Sequence, residues 1–123
     1  MARKVNIGTS NYTEVFSEDT KSFNSYHQYE VRQVSAKGTT ISENEIYAKI
    51  KFQEGPIKEY GINGCHNEDL IAIVIDRLQN FQESSFACRE NAIAITKLEE
   101  ALLWLNKRTQ DRRNKGIEGT SQI

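Results

Sequence analysis

One long segment in the C-terminal half of the chain decides the fold: residues 86–115 read FACRENAIAITKLEEALLWLNKRTQDRRNK. A stripe of residues recurs in it at spacings of three and four, which is typical of one face of an α-helix in a coiled-coil-like pair. The segment is therefore predicted to be a single long helix. We call the stripe its seam, and the seam has polar residues near both ends. The seam positions are Cys88, Asn91, Ile95, Leu98, Leu102, Leu105, Thr109 and Arg112.

A shorter helix is predicted before it, from an N-cap at Asn67 to about Gln82. Its apolar residues cover more than one stripe, so it should be buried on two sides. Residues 82–85 form a short polar turn with a serine N-cap, which makes the two helices an antiparallel hairpin. One side of the first helix is expected to pack against the second helix, and the other to be buried by the sheet or by a second chain. A line of small residues supports self-association through close helix approach: Ala87, Ala94 and Ala101.

The N-terminal half shows the pattern of strands. Residues 1–25 are polar and predict loop with one or two short strands. Residues 26–34 and 46–52 alternate apolar and polar side chains, which indicates two strands with one wet face. Residues 36–40 are typical of the turn between them, and residues 57–62 are a candidate third strand.

A glycine-rich stretch, residues 61–64, marks the predicted domain boundary. We expect an N-terminal β-domain over residues 1–62 and a C-terminal helical hairpin over residues 63–123. The fold class is therefore α+β: a small antiparallel sheet followed by a long hairpin that oligomerises.

The charge is unevenly placed along the 123 residues, whose net charge is −1. Five cations and one aspartate give +4 over residues 107–115, so the remainder carries −5. A local basic site on an acidic body fits a small phosphorylated ligand better than a long nucleic acid.

The two cysteines have no metal-binding spacing, and no apolar run approaches ~18 residues, so we expect an intracellular protein with reduced thiols and no membrane span. Cys88 is expected to be a small core residue, and Trp104 to lie in the core or at an interface. His27 and His66 have no clear nucleophile or carboxylate partnership, although Cys65 and His66 are neighbours. No catalytic constellation, metal site or cofactor motif is predicted.

Four residues depart from a purely structural pattern, and each has an ordinary alternative. Asn91 occupies a seam position, where a buried Asn also serves to set register. Phe81, at the end of the first helix, also suits hairpin packing. Arg108 and Arg112 share a helix face, and cations also stabilise a helix C-terminus.

Distance links these residues to a dimer. At 1.5 Å per residue, Arg108 and Arg112 lie roughly 26–32 Å from Asn91 along the helix. One chain cannot bring both groups to a small ligand, but two antiparallel hairpins place the bend of one chain beside the basic end of the other. Each composite pocket then offers an aromatic face, an amide and two guanidinium groups, which suits a nucleotide.

Residues 61–64, 67–78 and 89–105 resemble a family of phage counter-defence proteins, the anti-Thoeris sponges, whose C-terminal hairpin is shared with anti-CBASS sponges. The resemblance implies a non-catalytic protein in the cytoplasm of the infected bacterium. Such proteins sequester glycocyclic ADP-ribose, a cyclic ADP-ribose isomer made by TIR-domain proteins, and some also bind cyclic di- or trinucleotides. It further implies a homo-oligomer, either an antiparallel dimer or a hexamer built as a trimer of dimers.

The family's ligand contacts correspond here to Phe81, Asn91, Arg108 and Arg112. Weaker candidates for ligand binding are Arg89, Asp111 and Arg113. Two alternatives stay open from the residues themselves: an enzyme that hydrolyses the signal, and a hairpin that binds nucleic acid or protein.

Overall fold

The computed structural model describes residues 3–8, 11–34 and 45–122. The chain divides into two compact units, Met1–Cys65 and His66–Ile123. The first contains the β-sheet and the second contains the long helices, so the α+β prediction is confirmed.

The first unit is built on a four-stranded antiparallel sheet with strand order β1-β2-β3-β4. The predicted pair of long strands is confirmed, as are short strands within residues 1–25. The turn predicted over residues 36–40 lies outside the described residues. The strands are β1 (Arg3–Lys4), β2 (Thr13–Ser17), β3 (Gln28–Gln33) and β4 (Ile46–Lys51).

The two faces of this sheet differ in polarity, as alternation predicts. Val15 pairs with Val31, and Val31 pairs with Ala48, which aligns three apolar side chains on one face. On the other face Phe16 pairs with Glu30, and Glu30 pairs with Lys49. The predicted polar face is therefore present, but it is not wet along its whole width, since the Glu30 side chain is only 13% exposed.

The predicted third strand, residues 57–62, is wrong. Ile57–Tyr60 forms a single helical turn, α1, with Pro56 at its N-cap and Gly61 at its C-cap. Proline favours the start of a helix because its φ is already helical and the first turn needs no N–H donor.

The chain then returns to the sheet at Gly64, whose position a larger residue could not occupy. A Cβ there would lie 2.4 Å from the Phe52 carbonyl carbon. The neighbouring Cys65 forms a parallel bridge with Phe52, which joins the end of the first unit to the sheet.

The second unit begins with α2 (Asn67–Gln82), and the predicted end at Gln82 is confirmed. The predicted N-cap at Asn67 is wrong by one residue, since His66 holds that place. The His66 backbone N–H donates to Asp69 Oδ2 at 2.8 Å. The acidic residue expected in the first turn therefore also closes the helix start.

The long helix, α3, covers Arg89–Asn114. The predicted start near Phe86 with a serine N-cap is wrong: Cys88 is the N-cap, in an extended conformation. Cys88 is exposed, so its expected place in the core is also wrong. Ala87 likewise precedes the helix, and only Ala94 and Ala101 of the small-residue line lie within it.

The two helices pack against each other through a thin apolar layer. Ile75 is 8% exposed and is the only buried hydrophobic residue among those described. The predicted α3 seam is confirmed as a half-buried face of this helix from its second position onward. Its half-buried residues are Asn91, Ile95, Leu98, Leu102, Leu105, Thr109 and Arg112.

Candidate functional site

The bend between the helices, residues 83–88, has a defined conformation. The Cys88 N–H donates to Gln82 Oε1 at 2.9 Å, and Gln82 Nε2 donates to the Cys88 carbonyl at 3.0 Å. Ser84 Oγ donates to the Phe81 carbonyl at 2.6 Å and accepts from the Phe86 N–H at 3.1 Å. These bonds tie the end of α2 to the start of α3.

The side chain of Gln82 is therefore a positioning element that sequence analysis missed. Its two partners are backbone atoms of Cys88, and a backbone partner leaves no signature in the sequence. The only available signal is a polar residue at the half-buried end of a helix that borders a short loop.

Phe81 lies at the C-terminal end of α2 and is 37% exposed. The Arg77 guanidinium carbon lies 5.0 Å from the centroid of its ring. This is a cation–π contact between residues four apart on one helix face. Arg77 was not among the predicted site residues, although the four-residue spacing is visible in the sequence.

Asn91 lies one turn into α3, half-buried at the seam. Its side-chain amide makes no hydrogen bond to any of the described residues, nor are its polar atoms fully buried. An Asn that sets the register of a hairpin usually bonds across the seam. Asn91 instead keeps its donors and acceptor available to a group from outside the hairpin.

The basic end of α3 contains the predicted arginine pair. Four residues turn a helix by about 400°, so Arg108 and Arg112 point to nearly the same side. Arg108 is exposed and has no hydrogen-bond or ion-pair partner in the described part of the chain. Arg112 is half-buried, and its Nη2 donates to the carbonyls of Ile117 at 3.2 Å and Thr120 at 3.0 Å.

The weaker candidates occupy different positions. The Asp111 carboxylate accepts from Lys107 Nζ at 2.8 Å, an ion pair between residues four apart on the helix. Arg89 lies two residues before Asn91, and Arg113 one residue after Arg112, so each is rotated by about 100–200° from its neighbour. Both are exposed and turn away from the seam.

Phe81 and Asn91 form what we call the bend half-site, and Arg108 and Arg112 form the basic half-site. α3 is one uninterrupted helix of 26 residues. At 1.5 Å per residue, the two half-sites are separated by about 26–32 Å along its axis. A single hairpin therefore does not bring them onto one small ligand.

The second unit also exposes many large apolar side chains. Leu103 is 70% exposed, and Trp104 is 65% exposed, so Trp104 is not a core residue of this chain. Exposed apolar side chains mark an interaction site where they form a contiguous patch. The other large apolar residues exposed on the hairpin are Ile73, Val74, Phe81, Phe86 and Ile93.

Among the described residues, neither histidine ring is hydrogen-bonded to a Ser or Cys side chain. His66 caps α2, and His27 Nε2 pairs with the Ser22 carbonyl at 2.5 Å. Over the described ranges, no group of three His, Cys, Asp or Glu side chains is arranged to hold a metal ion. No helix in the described part of the chain combines the length and apolarity needed to cross a bilayer.

A family model described as the Acb2/Tad1 hairpin domain matches residues 44–110, which include all of α2 and most of α3. The chain belongs to the Acb2/Tad1 hairpin family. It is 47% identical over 132 aligned positions to a protein named Thoeris anti-defense 1 from Bacillus phage SBSphiJ7. The alignment covers 90% of this chain and 91% of the phage protein. The family resemblance found in the sequence is thereby confirmed.

The family model ends at residue 110, so Arg112 and the residues after it lie beyond the matched hairpin. The bend half-site and Arg108 lie within it. The match to the family model therefore includes most of the hairpin but not Arg112, whose contacts are known from the structure of this chain.

Proposed function

We propose that this protein is a phage anti-Thoeris sponge that binds glycocyclic ADP-ribose without converting it. The signal would be held in the cytoplasm of the infected bacterium, so that the Thoeris effector is not activated. The name of the 47%-identical phage relative, Thoeris anti-defense 1, and the hairpin family both support this role.

The observation that carries the proposal is the separation of the half-sites on one continuous helix. Because about 26–32 Å of helix lies between them, a compact nucleotide that uses both must contact two chains. An antiparallel dimer supplies the bend of one chain and the basic end of its partner, twice by symmetry. The exposed apolar side chains, Trp104 and Leu103 above all, supply a surface for that association.

Each group has a definite task in such a pocket. Phe81 stacks on the base, with Arg77 on the opposite face of the ring, and stacking of this kind is worth ~1–3 kcal/mol. The free amide of Asn91 bonds a base edge or a ribose hydroxyl. Arg108 and Arg112 bind the pyrophosphate through charge-assisted hydrogen bonds. These groups favour tight binding, and none of them is a nucleophile.

The test is capture followed by release. The protein is incubated with the signal made by a TIR-domain protein, free ligand is removed by gel filtration, and the complex is heat-denatured. Mass spectrometry then identifies the released molecule. Captured intact signal supports a sponge, and an altered product in either the protein or the free fraction supports a signal-degrading hydrolase. Unaltered signal found wholly in the free fraction contradicts both.

The arginine pair gives a matched set of variants. Arg108→Ala is expected to abolish capture while light scattering shows an unchanged oligomer, because Arg108 has no partner within the described part of its own chain. Lys97→Ala removes an exposed cation from the middle of α3 and should leave capture unchanged. If Arg108→Ala dissociates the oligomer, its role is structural.

A further inference from the structure

The residues after α3 form a compact turn, residues 115–122, which we call the C-terminal turn. The Ile117 N–H donates to the Arg112 carbonyl, and the Gly116 N–H donates to the Arg113 carbonyl, both at 3.0 Å. This is the Schellman pattern of helix termination. Gly116 has φ +73°, and a Cβ there would meet nothing within 4 Å, so glycine is needed for its backbone conformation alone.

The turn is closed by Thr120. Its N–H and its Oγ1 both donate to the Ile117 carbonyl, at 3.1 and 2.5 Å. The Gln122 N–H donates in turn to Thr120 Oγ1 at 3.3 Å. The carbonyls of Ile117 and Thr120 are thereby fixed with respect to the end of α3.

These two carbonyls hold Arg112. Both accept from Nη2, at 3.2 and 3.0 Å, so one nitrogen makes both bonds. The remaining nitrogens of the guanidinium, Nε and Nη1, make no hydrogen bond to any of the described residues. Arg108 and Arg113 have no comparable anchor there. Arg112 is therefore the arginine of this helix end whose side chain is already oriented in the free chain.

We infer that the C-terminal turn is a positioning element of the ligand site, which orients Arg112 so that one of its two remaining nitrogens, Nε or Nη1, faces an anionic phosphate. The inference rests on the proposed function, and it adds residues beyond the matched hairpin to the site. Fixing a long side chain before binding removes an ordering cost that the ligand would otherwise meet. Because Nη2 of Arg112 is already bonded to the turn, Arg112 can offer the ligand only its other nitrogens. Arg108 is then the arginine that is free to bind a phosphate through two nitrogens at once.

An Arg near a helix C-terminus can also act only as a cap for the last carbonyls. The two roles differ in what happens when the turn is removed. A cap affects the stability of α3 whatever the ligand does. A positioning element affects ligand affinity, and only through Arg112.

The experiment compares a chain that ends at Lys115 with a matched control that ends at Ser121 and keeps both carbonyls. Each is made with Arg112 and with Arg112→Ala, and each is titrated with glycocyclic ADP-ribose by calorimetry. We expect the shorter chain to bind about tenfold more weakly than the control. In the Arg112→Ala pair we expect no difference between the two lengths.

The inference is overturned if the chains that end at Lys115 and at Ser121 bind with equal affinity when Arg112 is present. It is also overturned if truncation weakens binding by the same factor in the Arg112→Ala chains. If the full chain captures no signal, the proposed function fails and the positioning role falls with it. Gly116→Val in the full-length chain provides a second variant, since it strains the turn without removing residues. It should weaken binding in the same direction while circular dichroism shows unchanged helix content, and unchanged binding would contradict the role.

Discussion

Two variants that each fail to capture ligand are expected to restore capture when they are combined in one dimer. One carries Phe81→Ala and Asn91→Ala in the bend half-site, and the other carries Arg108→Glu in the basic half-site. In the proposed antiparallel dimer, a mixed pair would place the intact bend of the second chain beside the intact basic end of the first. That pocket is complete, and the other pocket carries both defects.

The size of each defect follows from the groups removed. Loss of stacking costs ~1–3 kcal/mol, and loss of a neutral hydrogen bond costs ~0.5–1.5 kcal/mol. Together these amount to about 10- to 2,000-fold in the dissociation constant. Removal of a charge partner to the pyrophosphate costs ~2–5 kcal/mol, or about 30- to 5,000-fold. Either homodimer should therefore bind far more weakly than the parent protein.

The assay uses two affinity tags to purify mixed dimers, followed by counting of captured signal by mass spectrometry. We expect about one ligand per mixed dimer against about two for the parent. The matched control is a mixed dimer in which one chain carries Arg108→Glu and the other carries Arg112→Ala. Both defects then lie in the basic half-site, so each pocket contains one of them and no complete pocket forms. Capture in the control, or none in the mixed dimer, would refute a pocket shared between chains.

Three further predictions follow from other residues. Trp104→Glu is expected to lower the mass of the oligomer measured by ultracentrifugation, because it places a charge on a 65% exposed apolar side chain; an unchanged mass would show that the interface lies elsewhere. In a Cys65→Ser background, the exposed Cys88 thiol should be alkylated rapidly in the free protein and slowly with bound signal, unless the ligand binds away from the bend. Gln82→Ala should reduce the free energy of unfolding in urea by about 1–2 kcal/mol through loss of its two bonds to Cys88, and Gln79→Ala, an exposed control on the same helix, should not.

Sequence periodicity predicted the hairpin well because its helices are long and their seam is regular. The seam from Asn91 to Arg112 is half-buried along its whole length, as the three-four spacing requires. Extension of the same spacing back to Cys88 failed for a local reason. The Gln82 amide binds the Cys88 backbone, and Cys88 has an extended conformation. Cys88 is therefore outside the helix, and the three-four spacing does not determine which way its side chain points.

Short elements were harder to predict. Residues 57–62 contain a mixture of apolar and charged side chains that suits either a strand or a helical turn. The Pro56 ring favours the turn, and Gly61 ends it after four residues. A window this short has too few periods for alternation to outweigh these two residues.

The half-sites were predictable to different extents. Asn91 stood out because it is a polar residue in an apolar seam, and Phe81 because it lies beside the bend. Their roles as ligand contacts stay predictions. The anchor of Arg112 could not be predicted, because its partners are backbone carbonyls of Ile117 and Thr120. Any residue has such a carbonyl, so only the path of the chain decides where it lies.

The unbroken course of α3 has a consequence for how this protein tolerates insertions and deletions. Each residue added between Asn91 and Arg108 moves the basic half-site by ~1.5 Å and rotates it by about 100° relative to the bend. In a two-fold assembly one such change damages both pockets at once. Length variation should therefore concentrate outside this stretch. Within it, an insertion of seven residues keeps the arginines within about 20° of their original face but still moves them by ~10 Å.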